Sequence, residues 1–287
     1  MKILITGALG QLGLSLKSKL NNADSTDVYA LSRSELDITD EQKVYDVIQN
    51  FKPEAVIHTA AYTAVDLAEK NKDEAYRINV VGTRNVALAA KTVNAKICYI
   101  STDYVFSGKR NHPYTEFEHT NPVNIYGLSK HAGETIVQTL TDQYFIVRTS
   151  WLYSSTGKNF FNTMIRLAQS GKSLNVVNDQ FGTPTYTEDL SVFLIELVKS
   201  NKYGIYHATN KGYCSWYDFA RAIFEELDWK VNLSPCSTEE YHTSAPRPSY
   251  SVLDQTFLKV NGFQELRPWR EGLKACLKSS LQTRNQL

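Results

Sequence analysis

The sequence predicts an α/β chain built on a doubly wound parallel sheet, with a smaller α/β lobe following it. Three observations carry this. Short apolar runs of strand type alternate with helical stretches through residue 150, the pattern of repeated β-α units. The first run, at 2–5, passes directly into Thr6-Gly7-Ala-Leu-Gly10-Gln-Leu-Gly13, a glycine turn that opens a helix. Beyond Thr149 the alternation loosens into helices and short strands.

The glycines of the first turn are spaced G-x-x-G-x-x-G, and each has a job. Gly7 allows the tight turn, Gly10 lets backbone approach a pyrophosphate, and Gly13 lets the helix through Leu14, Leu16 and Leu20 pack on its strand. Residues 28–31 form the second strand, with Ser32 and Arg33 at the end where such sheets hold an adenosine ribose. A serine and an arginine suit a 2′-phosphate, so NADPH is the expected cofactor; Glu35 and Asp37 nearby leave acceptance of NADH open. Asp37 reads either as a contact to adenine or ribose or as a helix cap, beside a capping box at Thr39-Asp-Glu-Gln42.

The third strand, 55–58, runs into Thr59-Ala60-Ala61-Tyr62-Thr63, where small side chains let backbone lie close to a cofactor. Helical periodicity through Ala75, Ile78, Val81, Val86 and Ala89 predicts one helix over 72–93. Asn79 inside it either ties the helix to the neighbouring strand or stands idle at the surface. Residues 97–100 are the next strand, ending in Ser101-Thr102-Asp103-Tyr104. Hydroxyls at the carboxyl end of a central strand lie where open α/β sheets bind ligands, so Thr102 is a candidate donor to a substrate carbonyl; satisfying the loop backbone is the alternative.

A polar loop with Pro113 and Pro122 leads to a helix from about Tyr126 to Leu140, then to a strand at 144–149. Later helices are expected at 160–169, 187–200, 215–227, 254–260 and 270–281, short strands at 174–177 and 204–207, and a frayed tail over 283–287. The expected division is 1–150 as a dinucleotide-binding domain, with some later segments returning to it, and 151–287 as mainly a substrate-binding lobe.

The chemistry centres on Tyr126-Gly-Leu-Ser-Lys130. Residues four apart on a helix share a face, so phenol and ammonium address one small volume. A phenol titrates near ~10 in water, and a neighbouring cation favours the phenolate, which lets the tyrosine pass a proton to a carbonyl oxygen. Among 17 tyrosines such a spacing also arises by chance, so its weight comes from context.

Composition narrows the partners. The 287 residues are 42% hydrophobic and 21% charged with net charge +1, ordinary globular values that give no electrostatic reason to expect nucleic acid or an anionic membrane. No apolar run approaches the ~18 residues of a membrane span and no cleavable signal is evident, so a cytoplasmic protein is expected. Cys98, Cys214, Cys236 and Cys276 are scattered and the histidines show no ligand spacing, so no structural metal is expected.

Together these residues resemble the extended short-chain dehydrogenases/reductases, and within them the dTDP-4-dehydrorhamnose reductase family. The likeness covers nearly the whole chain. It rests on Thr6-Gly-Ala-Leu-Gly-Gln-Leu-Gly13, Ala60-Ala-Tyr-Thr-Ala-Val-Asp66, Ser101-Thr-Asp-Tyr-Val-Phe106, Asn124-Ile-Tyr-Gly-Leu-Ser-Lys130, Arg148-Thr-Ser-Trp151, Asn178-Asp-Gln-Phe-Gly-Thr-Pro-Thr185 and Arg247-Pro248. The resemblance implies a catalytic triad of Thr102, Tyr126 and Lys130. It implies a cofactor lined by Gly10, Gln11, Leu12, Asp37, Ile38, Ala61, Tyr62 and Thr63, and a dTDP-sugar touching Thr102, Asp103 and Trp151. Tyr104, Gln180 and Arg247 are further candidates for the substrate, Arg247 because its guanidinium fork matches a diphosphate.

Three rivals are weighed by the same residues. In nucleotide-sugar 4,6-dehydratases the strand ends in Thr-Asp-Glu, and Tyr104 stands here where that Glu supplies the base. A 4-epimerase shares the triad but retains its nicotinamide. A non-enzymatic regulatory subunit has little use for an intact triad. Some reductases of the family are dimers bridged by magnesium through carboxylates, one early in the first helix. Ser15 occupies that stretch and Glu188 alone does not replace it, so magnesium stays open and a monomer or homodimer is expected.

Overall fold

The computed structural model describes residues 1–21 and 26–284. Six parallel strands form the central sheet: β1 (Lys2–Thr6), β2 (Asp27–Leu31), β3 (Ala55–His58), β4 (Lys96–Thr102), β5 (Tyr144–Thr149) and β10 (Gly204–His207), in the order β10-β5-β4-β3-β1-β2. The register sets Ile3 beside both Val28 and Ala55, and Thr102 beside Thr149. From β1 the chain runs outward to β2 and then returns to β3 on the other side. Strand order therefore reverses at β1, the point at which open α/β sheets leave a crevice beyond the carboxyl ends of their strands.

Alternation along each strand sends side chains to two cores. Ile3, Ile5, Ile57, Cys98 and Val147 pack under α1 (Gln11–Asn21), α8 (Thr187–Lys199) and α11 (Thr256–Val260). Leu4, Val56, Ile97, Tyr99 and Ile146 pack under α2 (Glu41–Phe51), α5 (Thr83–Thr92) and α6 (Ile125–Leu140). With both faces covered, the strands read as near-continuous apolar runs, as the sequence shows.

A third core, built on Tyr153, Phe161, Phe219 and Trp269, lies among α7 (Phe160–Gln169), α9 (Trp216–Leu227) and α12 (Trp269–Arg284). Short strand pairs edge it: β6 (Leu152–Tyr153) with β9 (Thr185–Tyr186), β7 (Leu174–Val177) with β12 (Leu233–Cys236), and β8 (Phe181–Gly182) with β11 (Cys214–Ser215).

Several expectations are corrected. The single helix over 72–93 is three pieces, α4 (Lys72–Tyr76), a π-helical segment (Arg77–Gly82) and α5, preceded by a separate α3 (Val65–Lys70). The wide turn has a local cause. Gly82 presses on Ile38, where a Cβ would fall 2.6 Å from Cδ1, and Asn79 is drawn inward to bond the 60–63 segment. Asp40, not Thr39, caps α2, accepting from the Lys43 amide at 3.0 Å. The helix expected from 254 starts at Thr256. The expected tail is helical through Arg284, and 285–287 lie outside the described residues.

Candidate active site

A cleft of about 1000 Å³ opens beyond the carboxyl ends of β1, β3, β4 and β5, with Trp151, Phe160 and Trp216 on the lobe side. Its two ends are built differently.

At one end is the glycine turn. Gly7 has φ 72°, and a Cβ there would stand 2.7 Å from the Ala60 amide nitrogen. At Gly13 a Cβ would meet the Gly7 carbonyl oxygen at 2.4 Å, which is how α1 packs so close to the turn. Gly7, Gly10, Gln11, Leu12, Arg33, Asp37, Ile38, Ala60, Ala61 and Thr63 all line the cleft. This cradle, which side chains would fill, fits a dinucleotide pyrophosphate at a helix N-terminus. Gln11 also joins the two halves of the molecule, its Oε1 accepting from Asn159 Nδ2 at 2.7 Å and Ser154 Oγ at 3.0 Å. Asp37 accepts from the Thr39 amide and hydroxyl; the amide bond foremost holds its carboxyl below the usual range, against partial burial. Asp37 is thus a turn-former facing the cleft rather than a helix cap.

Four expected cofactor residues stand behind the lining instead of in it. Ser32 is buried and donates from its amide and hydroxyl to Glu35 Oε2 at 2.8 and 2.6 Å, so that carboxylate is already engaged, while exposed Arg33 lines the cleft 3.6 Å from Glu74 Oε1. Gly13 acts through packing. Asn79 is buried, accepting from the Tyr62 amide at 2.8 Å and donating to the Tyr62 carbonyl at 3.1 Å and Ser129 Oγ at 2.9 Å. Asn79 and Tyr62 therefore shape the cofactor wall and α6 without lining it.

The other end is the triad. Asn124 caps α6 by accepting from the Gly127 amide at 2.8 Å. At Gly127 a Cβ would be 2.1 Å from the Tyr104 carbonyl oxygen, and at Gly133 2.2 Å from the Tyr99 hydroxyl. Two glycines thus seat α6 against β4 and bring Tyr126 to the same end of the cleft as Thr102, both lining it. Lys130 is 2% exposed, its Nζ 3.9 Å from the Tyr99 ring centroid.

The electrostatics correct one expectation. Burial pushes the Tyr126 phenol up to about 12, opposed by the nearby Thr102 hydroxyl, instead of the neighbouring cation drawing it down. Burial also pulls Lys130 down to about 7, opposed by Glu134. Tyr126 is therefore loaded with its proton at neutral pH.

Two more acids lie beneath. Glu134 accepts from Arg148 Nη2 at 2.8 Å and Nε at 2.9 Å and from Ser101 Oγ at 2.5 Å. Burial alone would raise its carboxyl, but Arg148 and the other donors hold it down at about 2. Asp103, 2% exposed, accepts from Thr102 Oγ1 at 3.0 Å and Ser251 Oγ at 2.5 Å. With no cation against it, burial pushes its carboxyl up to about 7. Asp103 touches the cleft, yet both its oxygens are occupied by protein donors.

On the lobe side Trp151 has φ 47°, rare for an aromatic residue, and stacks on Trp216 with ring centroids 3.5 Å apart. Gly182 makes the stack possible, since a Cβ there would be 2.5 Å from the Trp151 ring. Buried Thr149 Oγ1 has no hydrogen-bond partner among the described residues and belongs to the lining. Tyr104 lines the cleft edge-on to Tyr126, their centroids 5.8 Å apart. Arg247 lines it too, but its fork already grips Asp66 at 2.6 and 3.0 Å, an ion pair between α3 and the 242–250 loop. Gln180 is corrected: it lies off the cleft and donates to Thr238 Oγ1 at 3.0 Å. Asp66, Lys158, Asn159 and Trp216 line the cleft without having been singled out; only Asn159, a polar cap ahead of Phe160, left a local signal.

With this geometry in view, the chain can be set beside known proteins. The RmlD substrate binding domain family model matches residues 1–282. The chain belongs to that family. The spore coat polysaccharide biosynthesis protein SpsK of Bacillus subtilis is 43% identical over 96% of this chain and 97% of its own. The dTDP-4-dehydrorhamnose reductase of Aggregatibacter actinomycetemcomitans is 42% identical over 95% and 97%. Among solved structures, dTDP-4-dehydrorhamnose reductase from Bacillus anthracis in complex with NADP superposes with a TM-score of 0.95 at 48% identity, covering 97% of this chain and 99% of that one.

In this family member Ser15, early in α1, faces Glu188. Ser15 Oγ lies 2.9 Å from Glu188 Oε1, and Lys19 Nζ lies 2.7 Å from Glu188 Oε2. Among the described residues no group of three or more His, Cys, Asp or Glu side chains is placed to hold a metal, and no helix is long and apolar enough to cross a membrane.

Proposed function

We propose that this chain reduces the C4 ketone of dTDP-4-dehydro-L-rhamnose with NADPH to give dTDP-L-rhamnose. The observation that carries the reading is one cleft with a glycine cradle and Arg33 at one end and Thr102, Tyr126 and Lys130 at the other. Bound there, NADPH supplies a hydride. The remaining work belongs to the chain. Tyr126, still protonated, gives its proton to the oxygen that gains charge; Thr102 polarises that oxygen; Lys130, buried over the Tyr99 ring, adds positive charge to the site when it is protonated. Arg33 answers the 2′-phosphate and the Trp151–Trp216 stack offers an apolar face to the sugar nucleotide.

The relatives called dTDP-4-dehydrorhamnose reductase support the substrate, and SpsK, a spore coat polysaccharide biosynthesis protein, supports a role in polysaccharide synthesis; the reading places that work in the cytoplasm. A dehydratase reading is disfavoured by Tyr104, which has no carboxylate to offer. The test is product analysis with stoichiometry. The proposal expects one NADPH oxidised per sugar and dTDP-L-rhamnose as product. A C4 epimer formed without net NADPH oxidation would make the chain an epimerase.

A further inference from the structure

The end of the cleft away from the triad is ringed by charges that reach one another across three segments of the chain. Arg33, just beyond β2, and Asp37 line it; Glu74 on α4 and Arg77 on the π-helical segment stand behind them. Arg33 Nη2 lies 3.6 Å from Glu74 Oε1. Glu74 also accepts the fork of Arg77, Nε to Oε2 at 2.8 Å and Nη2 to Oε1 at 2.9 Å. The third arm of Arg77, Nη1, donates to Thr39 Oγ1 at 2.6 Å, and that hydroxyl donates to Asp37 Oδ1 at 2.8 Å.

We propose that Glu74 sets the choice between NADPH and NADH, its carboxylate holding the Arg33 guanidinium that a 2′-phosphate would otherwise engage. Glu74 is then a specificity-determining residue that acts through Arg33, and the proposal rests on the placement of NADPH given above.

The charges come first. Arg33 and Arg77 stand against Asp37 and Glu74, so the ring is neutral before any nucleotide enters, and Glu35 beside it is turned to Ser32. A phosphate monoester brings close to two negative charges and needs a surplus of cation to be welcomed. Arg33 reads as that surplus in the sequence; in the fold much of it is already answered.

The geometry says which contact gives way. Carboxylate and phosphate both match a guanidinium fork, so Glu74 occupies Arg33 much as a 2′-phosphate would. Its hold on Arg77 is two-pronged and short, whereas Arg33 is 71% exposed and meets one oxygen at 3.6 Å. Arg33 is therefore the arm free to swing. With NADH, whose ribose carries a hydroxyl there, Arg33 stays on Glu74 and no cation is stranded. With NADPH, Arg33 turns to the phosphate, and the affinity gained is reduced by the pair given up. An exposed ion pair changes an equilibrium by up to about fivefold, which sets the size of the effect. If Glu74 served only to fix Arg77 on the helix surface, its charge would bear on both cofactors alike.

The experiment measures dissociation constants for NADPH, NADH and 2′,5′-ADP by calorimetry, at low and high ionic strength, in wild type, Glu74→Gln, Arg33→Ala and the double variant. Glutamine keeps the length of the side chain and an acceptor for Arg77 and removes the charge. E74Q is expected to bind NADPH and 2′,5′-ADP about fivefold more tightly with NADH affinity unchanged, which also shows that the fold is intact. The gain fades in high salt and disappears when Arg33 is absent. An NADPH-to-NADH affinity ratio in E74Q equal to that of wild type, an equal change for both cofactors, or the full gain persisting in the double variant each overturns the role of Glu74 while the reductase reading stands. Wild-type NADPH affinity in R33A overturns the placing of the 2′-phosphate at Arg33 and the proposal with it. A wild type that binds neither dinucleotide overturns the reductase reading itself.

Discussion

At the residue scale, the site depends on what burial does to two side chains that solution chemistry would treat otherwise. Lys130 is drawn down from 10.5 to about 7, with desolvation the leading cause. Between those values the unfolded chain binds a proton that the folded chain does not. Stability therefore rises with pH across that window and is lowest below about 7, where Lys130 is buried with its charge. Lys130→Met is expected to raise the melting temperature by about 2–4 °C at pH 6, with the gain fading towards pH 10, while turnover is lost. Calorimetric scans across that range check it, and a lysine variant that melts lower at pH 6 would count against a destabilising ammonium. The Tyr/Lys spacing was legible in the sequence because helical geometry fixes it. The direction of the tyrosine shift was not, because it depends on how deeply α6 sinks against β4, and that is set by Gly127 and Gly133 meeting Tyr104 and Tyr99.

At the element scale, α6 is held in place by the buried Glu134–Arg148 pair, which ties the helix to β5. Its folded carboxyl titrates near 2 against 4.5 when unfolded, so its contribution is complete above about 4.5 and is lost as pH falls towards 2. Glu134→Gln leaves the Arg148 guanidinium buried without its counter-ion and is expected to cost about 3–5 kcal/mol at pH 7, with a shallower acid limb than wild type. Urea titrations at pH 7 and pH 3 measure both; equal stability of the two proteins at pH 7 would mean that the pair does not anchor the helix. The strands and the glycine turn were readable because apolar runs and G-x-x-G-x-x-G are local signals. The π-helical segment was not, since its cause is contact between Gly82 and Ile38 and between Asn79 and Tyr62, residues that no period connects.

At the scale of the whole molecule, the cleft lies between the central sheet and the third core, and what crosses it is mostly invisible in sequence. Gln11 reaches Asn159 and Ser154, and Asp66 grips Arg247, each pair separated by well over a hundred positions. Arg247 stood out as a guanidinium fork suited to a diphosphate, but its partner could come only from the fold, and Gln180 sat in a well-marked motif that turns out to brace the lobe. The central claim is that this cleft holds a reductase whose proton donor is Tyr126. The most direct measurement is rapid mixing of NADPH-loaded protein with dTDP-4-dehydro-L-rhamnose, following the loss of reduced-nicotinamide absorbance in wild type and Tyr126→Phe. The expected result is stoichiometric oxidation by wild type and a rate about 10²–10⁴-fold slower in the variant, with NADPH affinity retained. Equal rates in the two proteins, or no oxidation by a wild type that binds NADPH, would contradict it.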